Sequence, residues 1–282
     1  MAATPRPLLD DPRPLLDDPR PLLDDKVVWV AGVGPGLGGA CVQAALRDGA
    51  RVVASARDGE RLAARMAELD PDGERVLVAP ADVTDAEACR RVAAAAVERF
   101  GALHGLVDVA ALDNVMGGLD DTDDAAWAAT HRVNVIGAMH LVSAARPHLA
   151  AAGGGSVVFI GSQSSLRPAE EMFQVAYAAS KGALLAAQRS LARELGPQGI
   201  RVNTVIATWM WGPNVELYCA WQAAERGVTP EAVRDEIASR MALGEIPRDD
   251  DVAEAVVWLL SDRARMVTGQ ELLVNAGEIF GG

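Results

Sequence analysis

Short apolar runs alternate with amphipathic segments from Lys26 almost to the end of the chain. The apolar runs predict buried strands and the amphipathic segments predict helices, so strand and helix take turns. Predicted strands span residues 27–31, 51–55, 75–79, 103–109, 156–161, 201–206 and 271–274. Predicted helices span residues 38–47, 59–69, 85–100, 123–150 and 176–195, with helical material to about residue 260. This order predicts an α/β fold with a doubly wound parallel sheet, which binds ligands at the carboxyl ends of its strands.

The amino-terminal segment differs from the rest of the chain. Residues 5–25 are three perfect copies of Pro-Arg-Pro-Leu-Leu-Asp-Asp. Two prolines per copy exclude a regular helix, because proline lacks the backbone donor and clashes with the preceding turn. We therefore predict a disordered tail over residues 1–21 and a single domain over residues 22–282, with the last repeat copy against the fold. The alternative is that the repeats form a partner-binding arm.

Charge and cysteine content exclude several classes of partner. The 282-residue chain is half hydrophobic and has a formal net charge of -13. Because it lacks a large positive field, we expect neither a nucleic acid nor a membrane as partner, and no apolar run is long enough to span a bilayer. Cys41, Cys89 and Cys219 are scattered and odd in number, which favours a reducing compartment. We expect a cytoplasmic protein that binds a small molecule.

A glycine-rich turn lies directly between the first predicted strand and the first predicted helix. Residues 31–38 read Ala-Gly-Val-Gly-Pro-Gly-Leu-Gly. In this position glycines permit a tight turn and a close approach of the backbone to a pyrophosphate, which the helix N-terminus then meets. We therefore predict a Rossmann-type dinucleotide site that includes Gly32, Gly36, Leu37 and Gly38. The alternative is an ordinary glycine-rich connection.

The end of the second predicted strand indicates which nucleotide binds. An acidic residue at this point typically hydrogen-bonds the ribose of NAD, whereas this strand runs into Arg57 with no acid before it. A guanidinium can bind a 2′-phosphate through two parallel hydrogen bonds, so NADP(H) is predicted as the preferred cofactor, with NAD(H) possible. Alternatively, Arg57 is a surface residue that pairs with Asp58 or Glu60.

Tyr177 and Lys181 stand four residues apart in a segment with helical spacing, Tyr-Ala-Ala-Ser-Lys. Positions four apart lie on one helix face, so the ammonium can reach the neighbourhood of the phenol. A nearby cation lowers the pKa of a phenol, and such a tyrosine can exchange a proton with a substrate oxygen near neutral pH. This pair predicts redox chemistry at a carbonyl or an alcohol.

Over residues 22–282 the chain resembles the short-chain dehydrogenase/reductase family. The resemblance rests on Tyr177 and Lys181, the spaced glycines, Asp82-Val83 after the third strand and the order of the elements. It implies that Asp82 and Val83 contact the cofactor, together with Tyr177 and Lys181. It also implies a homo-oligomer, a tetramer or a dimer, built partly through the long helices.

The same resemblance implies a catalytic tetrad of Asn134, Ser162, Tyr177 and Lys181, in which the asparagine holds a water that connects the lysine to solvent. Ser162 precedes Tyr177 by two residues more than is usual in the family, and Ser164 has the usual separation. We prefer Ser162, because the strand fixes its position and the following loop can absorb two residues.

Two segments depart from the family pattern. The usual Asn-Asn-Ala-Gly after the fourth strand is replaced by Asp108-Val-Ala-Ala111, and the usual Pro-Gly after the sixth strand is replaced by Ala207-Thr208. Both changes lie beside the predicted site. If Asp108 is buried, its carboxyl needs hydrogen-bond donors or a raised pKa.

Aromatic residues, scarce elsewhere, gather after the sixth strand in a segment that runs from Thr208 past Trp221. We predict that residues 208–245 form a lid whose aromatic and methionine side chains give an apolar wall for a hydrophobic substrate. The alternative is packing between this lid and the body of the protein. The histidines lack partners at ligand spacing, and Asp120 to Asp124 is a helix start, so no metal site is predicted.

Together these features predict an oxidoreductase that transfers hydride between NADP(H) and the carbonyl or secondary alcohol of a small, hydrophobic substrate. Two alternatives remain open at this stage. One is a cofactor-binding regulatory protein that has lost turnover, and the other is a non-redox isomerase or dehydratase of similar fold.

Overall fold

A computed structural model describes residues 21–168 and 173–280. Seven strands form one parallel sheet in the order β3-β2-β1-β4-β5-β6-β7. The strands are β1 (Val27–Ala31), β2 (Arg51–Ser55), β3 (Val76–Val78), β4 (Gly105–Asp108), β5 (Gly155–Ser162), β6 (Ile200–Ala207) and β7 (Glu271–Val274). The predicted doubly wound sheet is confirmed, and the order reverses between β1 and β4, where ligands bind in folds of this kind.

Helices cover both faces of the sheet. They are α1 (Leu37–Arg47), α2 (Gly59–Leu69), α3 (Ala86–Phe100), α4 (Asp124–His131), α5 (Ala138–Ala151), α6 (Val175–Leu195), α7 (Pro213–Arg226), α8 (Pro230–Ala238) and α9 (Asp249–Leu260). One apolar core joins α1, α2 and α9 to the sheet, and a second joins α3, α5 and α6 to the opposite face. The strands of the centre are buried on both faces, which explains why they appear in the sequence as continuous apolar runs.

The long helix predicted over residues 123–150 is interrupted. A π-helical turn, Arg132–Gly137, separates α4 from α5. The prediction was wrong here because a π-turn adds one residue to a helical turn without changing which residue types surround it. The predicted helix start is correct, since Asp123 accepts a hydrogen bond of 2.7 Å from the amide of Ala126.

The end of the repeat segment packs against the domain. Leu23 is fully buried, and its amide donates to the carbonyl of Asp48 at 2.9 Å. The predicted tail up to residue 20 lies outside the described residues. The three cysteines are free and buried. Within residues 21–168 and 173–280, no helix is both long and apolar enough to cross a bilayer.

Candidate active site

The turn between β1 and α1 forms a cradle that is open toward the carboxyl ends of the strands. The amides of Gly32 and Val33 donate to the carbonyl of Ser55, at 2.9 and 3.0 Å, which ties the turn to β2. A side chain on Gly38 would stand 2.4 Å from the carbonyl oxygen of Gly32. Helix α1 begins at Leu37, and no side chain among the described residues caps it at Gly36. Its first amides therefore fit an anionic group such as a pyrophosphate.

Three further residues predicted to bind the cofactor, Arg57, Asp82 and Val83, follow strands β2 and β3. Arg57 follows β2 and is exposed, and the part of the chain that the structure describes contains no ion pair to it. Asp58 instead caps α2 and pairs with Arg61 at 3.2 Å. Asp82 accepts two hydrogen bonds of 2.8 Å from Thr84, which, with the nearby Arg57, lower its pKa.

Val83 lies beside these residues but faces the helices. Its carbonyl accepts from the Sγ of Cys89 at 3.8 Å and lies 3.0 Å from Nδ1 of His140. Arg57, Asp82 and Val83 do not line the cavity described below, whereas Gly32, Gly36, Leu37 and Gly38 do.

Two contacts of the cradle were not predicted from the sequence. Arg65 of α2 reaches back to the carbonyl of Pro35 at 3.4 Å, and its guanidinium occupies the space that a side chain on Gly39 would need. The carboxylate of Asp249, at the start of α9, lies beside Gly36 and Gly212. Both residues are distant in sequence from the glycine turn, so its local pattern gives no signal for them.

Tyr177, Ser162 and Lys181 meet at the carboxyl ends of β5 and β6. Ser162 is the last residue of β5, and its hydroxyl lies close enough to the phenol of Tyr177 to act on the pKa of that phenol. The Oγ of Ser164 lies 2.9 Å from the Oγ of Ser162, on the 3-10 turn that follows β5. Lys181 is buried on α6, and its Nζ donates to the carbonyl of Ile160 at 2.7 Å. All four side chains line one cavity.

The expected lowering of the Tyr177 pKa by Lys181 is wrong for this structure. Burial raises the pKa of Tyr177 to about 12, although the hydroxyl of Ser162 opposes the rise. The Nζ of Lys181 lies 5.7 Å from the centre of the phenol ring and is directed to the carbonyl of Ile160. Burial also lowers the pKa of Lys181, while Asp108 and Asp113 raise it. The phenol is therefore protonated at neutral pH.

Asn134 lies in the π-helical turn and is almost fully buried. Its side-chain oxygen accepts from the amide of Leu112 at 2.7 Å, and its Nδ2 donates to the carbonyl of Leu112 at 3.1 Å and to the Oγ of Ser180 at 2.9 Å. The side chain thus fixes the segment after β4 to α6 just beyond Tyr177. Its place in a proton path stays a prediction.

The cavity has a volume of about 860 Å³ and runs from the glycine cradle past Tyr177 to the segment that follows β6. Trp209, Met210 and Tyr218 contribute to its wall, and the rings of Trp209 and Tyr218 are 4.9 Å apart. Trp211 and Trp221 are not part of the lining. Trp211 packs against the apolar cluster of α7 and α8, and Trp221 is 56% exposed. The aromatic segment therefore serves both as a wall and as packing.

Both departures from the family pattern lie at this cavity. Asp108 ends β4 and is buried, and the backbone of Ala110 packs directly on Gly32. Thr208, which follows β6, donates a hydrogen bond to Glu278, and both residues line the cavity. The carboxyl-terminal segment thereby closes one side of the site, a contact that the sequence did not predict.

Known proteins resemble the chain over most of its length. The family model described as enoyl-(acyl carrier protein) reductase matches residues 32–278. The 2-(S)-hydroxypropyl-CoM dehydrogenase 3 of Xanthobacter autotrophicus is 33% identical over 253 residues, which cover 89% of this chain and 96% of that protein. The L-rhamnose 1-dehydrogenase (NAD(P)(+)) of Azotobacter vinelandii is 33% identical over 257 residues, with the same two shares.

A solved structure agrees with these relatives. The short-chain dehydrogenase/reductase of Brucella melitensis described as glucose/ribitol dehydrogenase superposes with a TM-score of 0.81 at 27% identity, covering 93% of this chain and all of the other. Fold, cradle and relatives together show that the chain belongs to the short-chain dehydrogenase/reductase family of oxidoreductases.

Proposed function

We propose that the protein is an NADP(H)-dependent oxidoreductase that interconverts the carbonyl and secondary alcohol of a small, hydrophobic substrate. The observation that carries the proposal is the shared cavity, in which the glycine cradle adjoins the side chains of Ser162, Tyr177 and Lys181. Relatives named as dehydrogenases of a hydroxypropyl compound and of a sugar support an alcohol or its carbonyl as the reacting group.

The cradle residues would hold the nucleotide, with the first amides of α1 on the pyrophosphate and Arg57 on a 2′-phosphate. A nicotinamide nucleotide bound there supplies or accepts the hydride. Tyr177, protonated at neutral pH, gives its phenolic proton to the substrate oxygen in reduction and takes it back in oxidation. Ser162 donates a hydrogen bond to the same oxygen and so stabilises the charge that develops on it.

Lys181 and Asn134 act behind these groups. The buried ammonium of Lys181 favours the phenolate of Tyr177, although burial of the phenol outweighs this effect on its pKa in the ligand-free protein. Asn134 holds the segment after β4 at a fixed distance from α6 and, by the resemblance, organises the proton path. The apolar wall of Trp209, Met210 and Tyr218 excludes water and favours a hydrophobic substrate.

Turnover with a panel of ketones and secondary alcohols tests the proposal, with reduced nicotinamide followed by its absorbance. We expect substrate-dependent consumption of NADPH with at least one hydrophobic ketone. Binding of nucleotide without any turnover would instead favour the regulatory alternative. Formation of product without net change in the nucleotide would favour the isomerase or dehydratase alternative.

Replacing Arg57 by Asp tests the choice of nucleotide. The variant loses a charged hydrogen-bond donor to the 2′-phosphate and gains a repulsive carboxylate, so we expect the Kd for NADPH to rise by about 100-fold or more. The Kd for NADH should change by less than about fivefold, because NADH has no phosphate at this position. Fluorescence titration of both nucleotides measures the two constants, and equal changes would contradict the assignment.

The predicted homo-oligomer and cytoplasmic location stay predictions.

A further inference from the structure

Asp108 is a charged residue in the interior, directly behind the active site. It is the last residue of β4 and is only 4% exposed. Its Cα pairs with Ala31 of β1 and with Phe159 of β5, so it lies at the carboxyl ends of the two central strands. In the family pattern this position usually holds a neutral asparagine. The negative charge is therefore a property of this chain that the family's tetrad does not explain.

The face on which Asp108 lies is the face of Lys181. Side chains alternate along a strand, and Leu106, two residues before Asp108, belongs to the core formed with α3, α5 and α6. Lys181 enters this face from α6, and its Nζ binds the carbonyl of Ile160, the residue next to Phe159. The ammonium and the carboxylate thus lie at neighbouring strand ends without forming a direct salt bridge, and both have almost no solvent contact.

Within the described residues, Lys181 is the cation that acts on the buried carboxylate of Asp108. The amide of Ala110 donates to Oδ1 of Asp108 at 3.2 Å, and Cys89 of α3 faces it from the side of the helices. Asp113 also acts on Lys181 but is exposed at the rim of the cavity. Burial raises the pKa of Asp108 to about 7 and lowers the pKa of Lys181, and each of the two opposes the shift of the other.

Burial alone would neutralise both groups, because a charge without a partner is costly in the interior. Each group therefore favours the ionised form of the other. We propose that Asp108 is a positioning residue that keeps the buried Lys181 as an ammonium and so provides the positive charge next to Tyr177. The inference rests on the proposed function for its catalytic meaning, but the electrostatic coupling of Asp108 and Lys181 can be tested without turnover.

The test is a double-mutant cycle of thermal stability in the full-length, ligand-free protein, with Asp108→Asn, Lys181→Met and the double variant. Lys181→Met leaves a carboxyl whose folded-state pKa lies above its unfolded value of about 4. The stability of this variant is thus greatest at low pH and falls as pH rises through the folded-state pKa of Asp108. We expect its deficit in Tm relative to wild type to grow between pH 6 and pH 9.

Asp108→Asn should show the opposite slope. It leaves an amine whose folded-state pKa lies below its unfolded value of about 10.4, so the folded state binds fewer protons and stability rises with pH. Its deficit should therefore shrink toward pH 9, and the double variant should lose both slopes. Additive deficits that do not depend on pH would overturn the proposal. If Asp108→Asn does not fold, the pH dependence of the Tm deficit of Lys181→Met alone tests the proposal.

The pH profile of kcat/KM for reduction gives the catalytic readout. Without the carboxylate, Lys181 loses its proton at lower pH, so the alkaline limb of Asp108→Asn should move by about one pH unit toward acid. Asp113→Asn is the matched control, because it removes a carboxylate that also acts on Lys181 but is screened by solvent. An equal displacement in the control would contradict a special role for Asp108. Absence of turnover would affect only the proposed function, since the stability cycle needs none.

Discussion

Replacing Tyr177 by Phe is expected to lower kcat by about 10²–10⁴-fold, the usual contribution of a positioned general acid or base. Burial raises the pKa of this phenol to about 12, so it carries its proton at neutral pH and can donate it to a developing alkoxide. Phenylalanine keeps the ring and its packing but has no proton to give. Steady-state rates with NADPH and a ketone substrate measure the loss.

The Kd for NADPH should change by less than about threefold in the Tyr177→Phe variant, because the glycine cradle supplies most of the contacts to the nucleotide. Fluorescence titration checks this and separates a catalytic effect from a binding effect. A kcat above about one tenth of the wild-type value would exclude Tyr177 as the proton donor.

Ser164→Ala is the matched control for this experiment. Like Tyr177→Phe, it removes one hydroxyl from the lining of the same cavity. Its Oγ lies 2.9 Å from the Oγ of Ser162, whereas Ser162 is the serine that acts on the phenol of Tyr177. We expect less than about a tenfold loss of kcat for the control, since it lacks the direct contact that gives one oxyanion donor its 10²–10³-fold effect. A loss as large as that of Tyr177→Phe would transfer the catalytic role to Ser164.

The main elements of the site could be predicted because each depends on local pattern. The central strands β1 and β4 are fully buried and therefore appear in the sequence as continuous apolar runs. The predicted bounds of β1, β2 and β7 agree with the structure. The glycine turn follows a strand and opens a helix. Tyr177 and Lys181 share one helix face because they stand four residues apart, a relation that needs no tertiary information.

Other features depend on contacts between distant segments. Arg65 supports the cradle from α2, Asp249 approaches Gly36 from α9, and Glu278 binds Thr208 from the end of the chain. A local pattern does not contain such contacts. The pKa of Tyr177 failed as a prediction for the same reason, since i,i+4 spacing places an amine near a phenol but does not say how deeply both are buried.

Gly32→Ala is expected to destabilise the protein by about 3–5 kcal/mol, through backbone strain and overpacking together. Gly32 has a φ of +90°, a value that residues with a side chain rarely adopt. An added Cβ would stand 2.4 Å from the amide nitrogen of Ala110 and 2.8 Å from the carbonyl carbon of Val109. Both contacts are to backbone, so the segment after β4 would have to move, and Asp108 lies immediately before it. Calorimetry of the ligand-free protein should show a Tm lower by about 6–20 °C.

Gly34→Ala isolates the cause of that loss. Gly34 belongs to the same turn, but its φ is not in the left-handed region and no atom lies within 4 Å of an added Cβ. The free energy of unfolding of the Gly34→Ala variant should therefore remain within about 0.5 kcal/mol of the wild-type value. If Gly32→Ala were equally harmless, the turn would be able to move away from Ala110, and the close packing of the cradle on the end of β4 would not be required. A large loss confined to Gly32→Ala would mean that this packing holds the cradle and the strand end of Asp108 in one rigid unit.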